Sequence, residues 1–214
     1  MLTISVLNPN SSSRVTQKIK DSFRNFKHNT NYKILCNKLD KSPIGIETDD
    51  HVKEVVPRIK EFVLENKADI YIIACFSDPG LEQIKKMTNS KVIGIAEASY
   101  KKSIDLNSKF GIISILENSI IRHEKYLKKL GLFHWLAGDR SIGLSVNDLD
   151  NKGAYDSILE TADNLKNKDH AKSIILGCAG MGKYKHRLEK DIKMTVLDPV
   201  ETAILEAFKN KLLR

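Results

Sequence analysis

Apolar positions along this chain follow two alternating spacings. Short unbroken apolar runs recur between longer stretches in which apolar residues fall every three or four positions. The first kind reads as strands buried on both faces, the second as amphipathic helices. The first half then gives strands at 2–8, 31–37, 69–75 and 91–95, with helices at 11–26, 50–66 and 79–88. The helix at 50–66 is the plainest, with Val52, Val55, Val56, Ile59, Phe62 and Val63 at helical spacing. Ser11-Ser12-Ser13 opens the first helix, and Asp78-Pro79 offers a start for the third. The second half gives helices at 97–106, 117–130, 151–167 and from about 199, with strands at 109–115, 140–146, 172–177 and 193–197. A short helix precedes the last strand.

Strands alternating with helices imply right-handed crossovers and parallel sheets. The order of features also repeats. Val6-Leu7-Asn8-Pro9-Asn10-Ser11-Ser12 holds the same strand–loop–helix place as Ile113-Ser114-Ile115-Leu116-Glu117-Asn118-Ser119. The expected fold is therefore α/β, with two similar lobes. Each is a small parallel sheet flanked by helices, related to the other by pseudo-twofold symmetry, with a site in the cleft between. The lobes divide as 1–96, joined by the terminal helix at about 199–214, and 97–198.

The sharpest chemical signal sits at two strand ends. Cys75 closes Asp69-Ile70-Tyr71-Ile72-Ile73-Ala74, and Cys178 closes Ser173-Ile174-Ile175-Leu176-Gly177, about half the chain away. Small or turn-forming residues follow each. The carboxyl end of a parallel strand is where open α/β sheets bind ligands. Inverting a carbon beside a carbonyl needs a base on one face and an acid on the other, and two thiols can exchange those roles. A helix N-terminus beyond each cysteine would lower its thiol from about 8.5 toward neutrality. The same backbone N–H groups can hold an enolate oxygen. The competing reading is two ordinary buried strand-end cysteines. Cys36, which lacks the following turn, reads as a packed core thiol.

Composition narrows the alternatives. A 41% hydrophobic, 29% charged chain is globular, and no apolar run approaches the ~18 residues of a membrane span. The first residues enter a strand pattern directly, with no basic leader, so a cytoplasmic location is expected. The net charge of +8 is spread over helical faces, as in Lys18-Ile19-Lys20 and Lys125-Tyr126-Leu127-Lys128-Lys129, without interleaved aromatics, so nucleic acid is not an expected partner. The cysteines lack zinc-site spacing, and the glycines of 177–182 lack dinucleotide spacing, so no metal and no cofactor is expected. His51, His123, His170 and His186 show no partner at ligand spacing, and His186 is read as surface.

Several separated motifs then resemble one family. They are Asn8-Pro9-Asn10-Ser11-Ser12, Ile46-Glu47-Thr48 with Asp50, Ala74-Cys75-Phe76-Ser77-Asp78-Pro79-Gly80-Leu81, Gly94-Ile95-Ala96-Glu97-Ala98-Ser99, Leu176-Gly177-Cys178-Ala179-Gly180-Met181 and Leu197-Asp198-Pro199-Val200. In this order they resemble the Asp/Glu/hydantoin racemase superfamily, specifically its hydantoin and allantoin racemase branch. The resemblance implies a cofactor-independent racemase with its site between two α/β lobes. It makes Cys75 and Cys178 the acid/base pair, acting on a 5-substituted hydantoin or allantoin. A homo-oligomer is expected separately, as for folds with exposed helical layers.

It also implies that Asn10 and Ser11 contact the ligand, the structural alternative being that either is simply a helix N-cap. Ser77, Ser114, Ala179 and Gly180 complete the candidate substrate contacts. Ser77 stands where this branch usually has Gly, and Ser114-Ile115-Leu116 departs from a threonine-rich strand end. Glu97 and Asp198 read as support or as helix-start acids. An aspartate or glutamate racemase is the alternative, although only Arg14 is an obvious motif-adjacent arginine, with Arg140 and Arg187 as further candidates. Two retained cysteines argue against a decarboxylase, which needs one proton donor. A non-catalytic small-molecule binding protein remains a third reading.

Overall fold

A computed structural model describes residues 1–26, 31–106 and 108–209. The last residues of the expected terminal segment, 210–214, lie outside the described residues. In chain order the first half runs β1 (Leu2–Asn8), α1 (Ser13–Ser22), β2 (Tyr32–Lys38), α2 (Asp49–Glu65), β3 (Ile70–Ile73), α3 (Leu81–Met87), β4 (Lys91–Gly94) and α4 (Ile95–Asp105). The second runs β5 (Phe110–Ser114), α5 (Glu117–Lys129), β6 (Leu136–Ser141), α6 (Ala154–Asn167), β7 (Ser173–Leu176), α7 (Lys185–Ile192), β8 (Thr195–Leu197) and α8 (Pro199–Lys209).

These strands form two four-stranded parallel sheets, ordered β2-β1-β3-β4 and β6-β5-β7-β8. The two orders are the same, which is the repeat seen in the sequence. Strands β3 and β7 hold equivalent inner places, and every residue of both is buried. That is why they read as unbroken apolar runs. Helix α2 buries Val55, Ile59 and Val63 at four-residue spacing. Helix α8 follows the second sheet in the chain, yet it packs on α4 and on β3 and β4 of the first sheet. Among the described residues, no helix is long and apolar enough to cross a membrane.

Three expectations shift. The strand read at 140–146 is β6, at Leu136–Ser141. Its half-exposed residues carry no apolar run, whereas Ile142 and Leu144 extend past the sheet and donate to the carbonyls of Ser114 and Ile115. The helix read at 11–26 starts at Ser13, ends at Ser22 and gives way to a 3-10 turn at Arg24–Phe26. Asp78 does not open its own helix. It takes the left-handed region (φ 43°), which Asp tolerates, and its carboxylate caps α4 by accepting the amides of Ala96 (3.1 Å) and Glu97 (2.8 Å).

Candidate active site

Cys75 and Cys178 each lie two residues past an inner strand, where pairing continues for one more bond. The Ala74 amide donates to Leu7 O and the Gly177 amide to Ile113 O, both at 2.8 Å. Gly177 permits that approach, since a Cβ there would stand 2.6 Å from Ile113 O. Each sulfur then accepts the amide two residues on, from Ser77 and from Gly180 (3.4 Å). Cys178 also precedes the 3-10 turn Ala179–Tyr184 and caps it. Both cysteines line one cavity of about 40 Å3.

Burial governs the thiols. It pushes Cys75 up to about 12, an effect partly offset by the Ser77 amide and reinforced by Cys178 and Asp78, while Arg122 acts the other way. Burial also raises Cys178; the Gly180 amide and Lys18 pull it down and Glu47 pushes it up. The expected fall toward neutrality does not occur. Four residues separate Cys75 from the Gly80 cap of α3, and desolvation outweighs the amide bonds at both sulfurs. Cys178 adds to the rise at Cys75, so a charge on one sulfur opposes a charge on the other.

The candidate contacts divide. Asn10, Ser77 and Ala179 line the cavity with the cysteines. Asn10 Oδ1 accepts from Asn8 Nδ2 (2.8 Å) and the Ser12 amide (2.9 Å), which leaves its own NH2 group to offer a ligand. The N-cap is Ser12, whose hydroxyl accepts the Val15 amide, so neither Asn10 nor Ser11 serves that purpose. Ser11 sits outside the cavity wall and donates its amide to Pro43 O. Gly180 meets the cavity only through its bond to Cys178.

Ser114 is a correction. It is fully buried, its hydroxyl donates to Asp139 Oδ1 (2.5 Å) and lies 3.1 Å from His123 Nδ1, and it does not line the cavity. Successive strand-end side chains face opposite ways, and Ile115 takes the cavity side.

Helix α5 supplies what the sequence reading missed. Ser119, Arg122 and His123 share one helical face and all line the cavity. The guanidinium of Arg122 donates to Ser119 Oγ (3.1 Å) and Asp49 Oδ1 (3.4 Å), while its buried Nε has no partner. His123 Nδ1 meets Asp139 Oδ2 at 2.8 Å, and its ring stands edge-on to Phe76. The signal was available: polar residues at three- and four-residue spacing where an amphipathic helix should be apolar. Arg14 is exposed and faces Asp150, Arg140 holds Asp169, and Arg187 covers Tyr155, so none reaches the cavity. Glu97 pairs with Lys85 and Lys101, and Asp198 caps α8 through the Val200 amide. Ile46 and Val146 complete the wall, tied together where Glu47 accepts the Val146 amide at 2.9 Å.

Residues 4–207 match the sequence profile of the Asp/Glu/Hydantoin racemase family. The chain belongs to that family. It is 32% identical over 211 residues to a hydantoin racemase of Paenarthrobacter aurescens, covering 94% of this chain and 88% of that one. A hydantoin racemase of Rhizobium meliloti is 31% identical over 206 residues, covering 94% and 85%. Among solved structures, an allantoin racemase from Klebsiella pneumoniae superposes with a TM-score of 0.90 at 26% identity, covering 100% of this chain and 89% of that one. The two-sheet architecture is thus that of racemases in this family.

Proposed function

We propose that this protein is a cofactor-independent racemase that inverts a carbon beside a carbonyl in a 5-substituted hydantoin or allantoin, with Cys75 and Cys178 as its acid/base pair. The observation that carries this reading is the shared cavity of two thiols, one from the equivalent strand end of each sheet. One cysteine, as thiolate, takes the hydrogen from the stereocentre as a proton, and the bonding pair passes into an enolate. The other cysteine, as thiol, returns a proton to the opposite face. The product is the other enantiomer, and the charge has moved from the first sulfur to the second.

The Asn10 NH2 group and the nearby amides hold the enolate oxygen, where fixed donors are most effective. The small relatives' names support a ureido ring as substrate. A free dicarboxylic amino acid fits less well, since among the described residues only one guanidinium, that of Arg122, lines the cavity. The reading places the chain in the cytoplasm as a homo-oligomer of two-lobed subunits, residues 1–96 with the terminal helix and residues 97–198.

The test is loss of optical rotation from enantiopure 5-methylhydantoin, allantoin, aspartate and glutamate. Decay with a ring substrate supports the proposal. Decay with the amino acids alone replaces its substrate, and no decay with any of them leaves a binding protein.

A further inference from the structure

A second cavity of about 360 Å3 adjoins the cysteine cavity and shares Phe76, Ser77, Arg122 and His123 with it. The turn at Asp78–Gly80 and the start of α3, Leu81 to Gln83, wall one side and α5 the other, with Val52 contributing from α2. A ring held between the two thiols can direct its substituent outward into this space.

The charge of the outer cavity is one-sided. Arg122, Lys125 and Lys129 fall on one face of α5 and line it together. Its acids are already engaged. Asp78 accepts the α4 amides and the Tyr126 hydroxyl (3.2 Å), and burial holds it up at about 7. Glu82 lies 3.4 Å from Lys85. Glu124, the acid beside the two lysines on the helix, pairs with Lys128 instead at 2.5 Å. Among the described residues Lys125 and Lys129 make no ion pair.

We propose that this outer cavity is the substituent subsite and that it selects ring substrates bearing an anionic side chain, such as a carboxyalkyl group. The proposal rests on the racemase reading above and adds the class of substituent. The apolar parts of Val52, Phe76 and Tyr126 cover the methylene stem, and the α5 cations meet its charged end.

The experiment compares enantiopure 5-(2-carboxyethyl)hydantoin with its carboxamide, which has nearly the same shape and no charge. The expected kcat/KM favours the carboxylate by at least about threefold, the scale of exposed ion pairs. The ratio shrinks in 0.5 M salt as screening shortens to a few ångströms. In a Lys125→Gln, Lys129→Gln double variant it falls toward one. Equal kcat/KM for the two substrates, or a preference the double variant keeps, overturns the subsite. Racemisation of 5-methylhydantoin but of neither of these two overturns the subsite alone, whereas racemisation of none of the three contradicts the racemase reading itself, so the two failures are distinguishable.

Discussion

Cys75 and Cys178 face one cavity from equivalent strand ends of two different sheets, and each sulfur accepts the amide two residues further along the chain. That relationship puts both thiols within reach of whatever occupies the cavity. Desolvation outweighs the amide bonds at both sulfurs, so burial favours the neutral thiol at each.

Alkylation by iodoacetamide, followed residue by residue in a mass spectrometer, should therefore be slower at both positions at pH 7 than for a free cysteine. For Cys75 the rate should climb between about pH 9 and 12. A thiol raised on folding contributes stability that is complete below its unfolded value and lost as pH rises through the folded one. Melting temperature should fall across the same interval, and less so in Cys75→Ala. Rapid modification of both at pH 7 would contradict the burial argument.

The charges around Cys178 are separable. Glu47 pushes its pKa up and Lys18 pulls it down. Glu47→Gln keeps a carbonyl oxygen for the Val146 amide and removes the charge, so the pH midpoint for alkylation of Cys178 should fall. Lys18→Met should raise it. Shifts in the reverse directions would show that other groups control this thiol.

Two glycines beside Cys178 should behave oppositely. Gly177→Ala would put a methyl 2.6 Å from Ile113 O, forcing β7 away from β5, and should cost about 2 kcal/mol in a denaturant titration. Gly180→Ala meets nothing nearer than Leu149 at 3.4 Å and keeps its N–H, so its cost should stay within about 0.5 kcal/mol.

Asp78 joins the loop after Cys75 to the start of α4. Asp78→Ala removes the acceptor for two amides and should cost about 1–2 kcal/mol, whereas Asp78→Asn retains an acceptor and tolerance of the left-handed backbone. Burial raises this carboxyl to about 7, so its contribution is complete below pH 3.8 and is lost as pH rises through 7. The melting temperature of Asp78→Asn relative to the parent should therefore rise between pH 4 and 8.

The two sheets and both cysteines were legible because they rest on local pattern. Ile70–Ile73 and Ser173–Leu176 are buried on both faces, and a turn follows each. Helix α2 was read through Pro57 because its buried stripe of Val55, Ile59 and Val63 continues on both sides of the proline. The α5 wall was hidden for the opposite reason. His123 finds Asp139 on β6, and Arg122 finds Asp49 at the start of α2, distances along the chain that no spacing rule reaches. Ser114 was misplaced by its strand-end position alone. One step in register turns its hydroxyl toward Asp139 and gives the cavity to Ile115.

Exchange in heavy water tests the two-thiol account most directly. Starting from each pure enantiomer of 5-methylhydantoin, the intact protein should wash deuterium into the stereocentre while rotation decays. In Cys75→Ser or Cys178→Ser, racemisation should fall by roughly 10²- to 10⁴-fold, the usual share of a positioned acid or base. Each variant should still favour exchange with one enantiomer, and the favoured hand should differ between the two. Full racemisation by either variant, or the same residual hand in both, would contradict it.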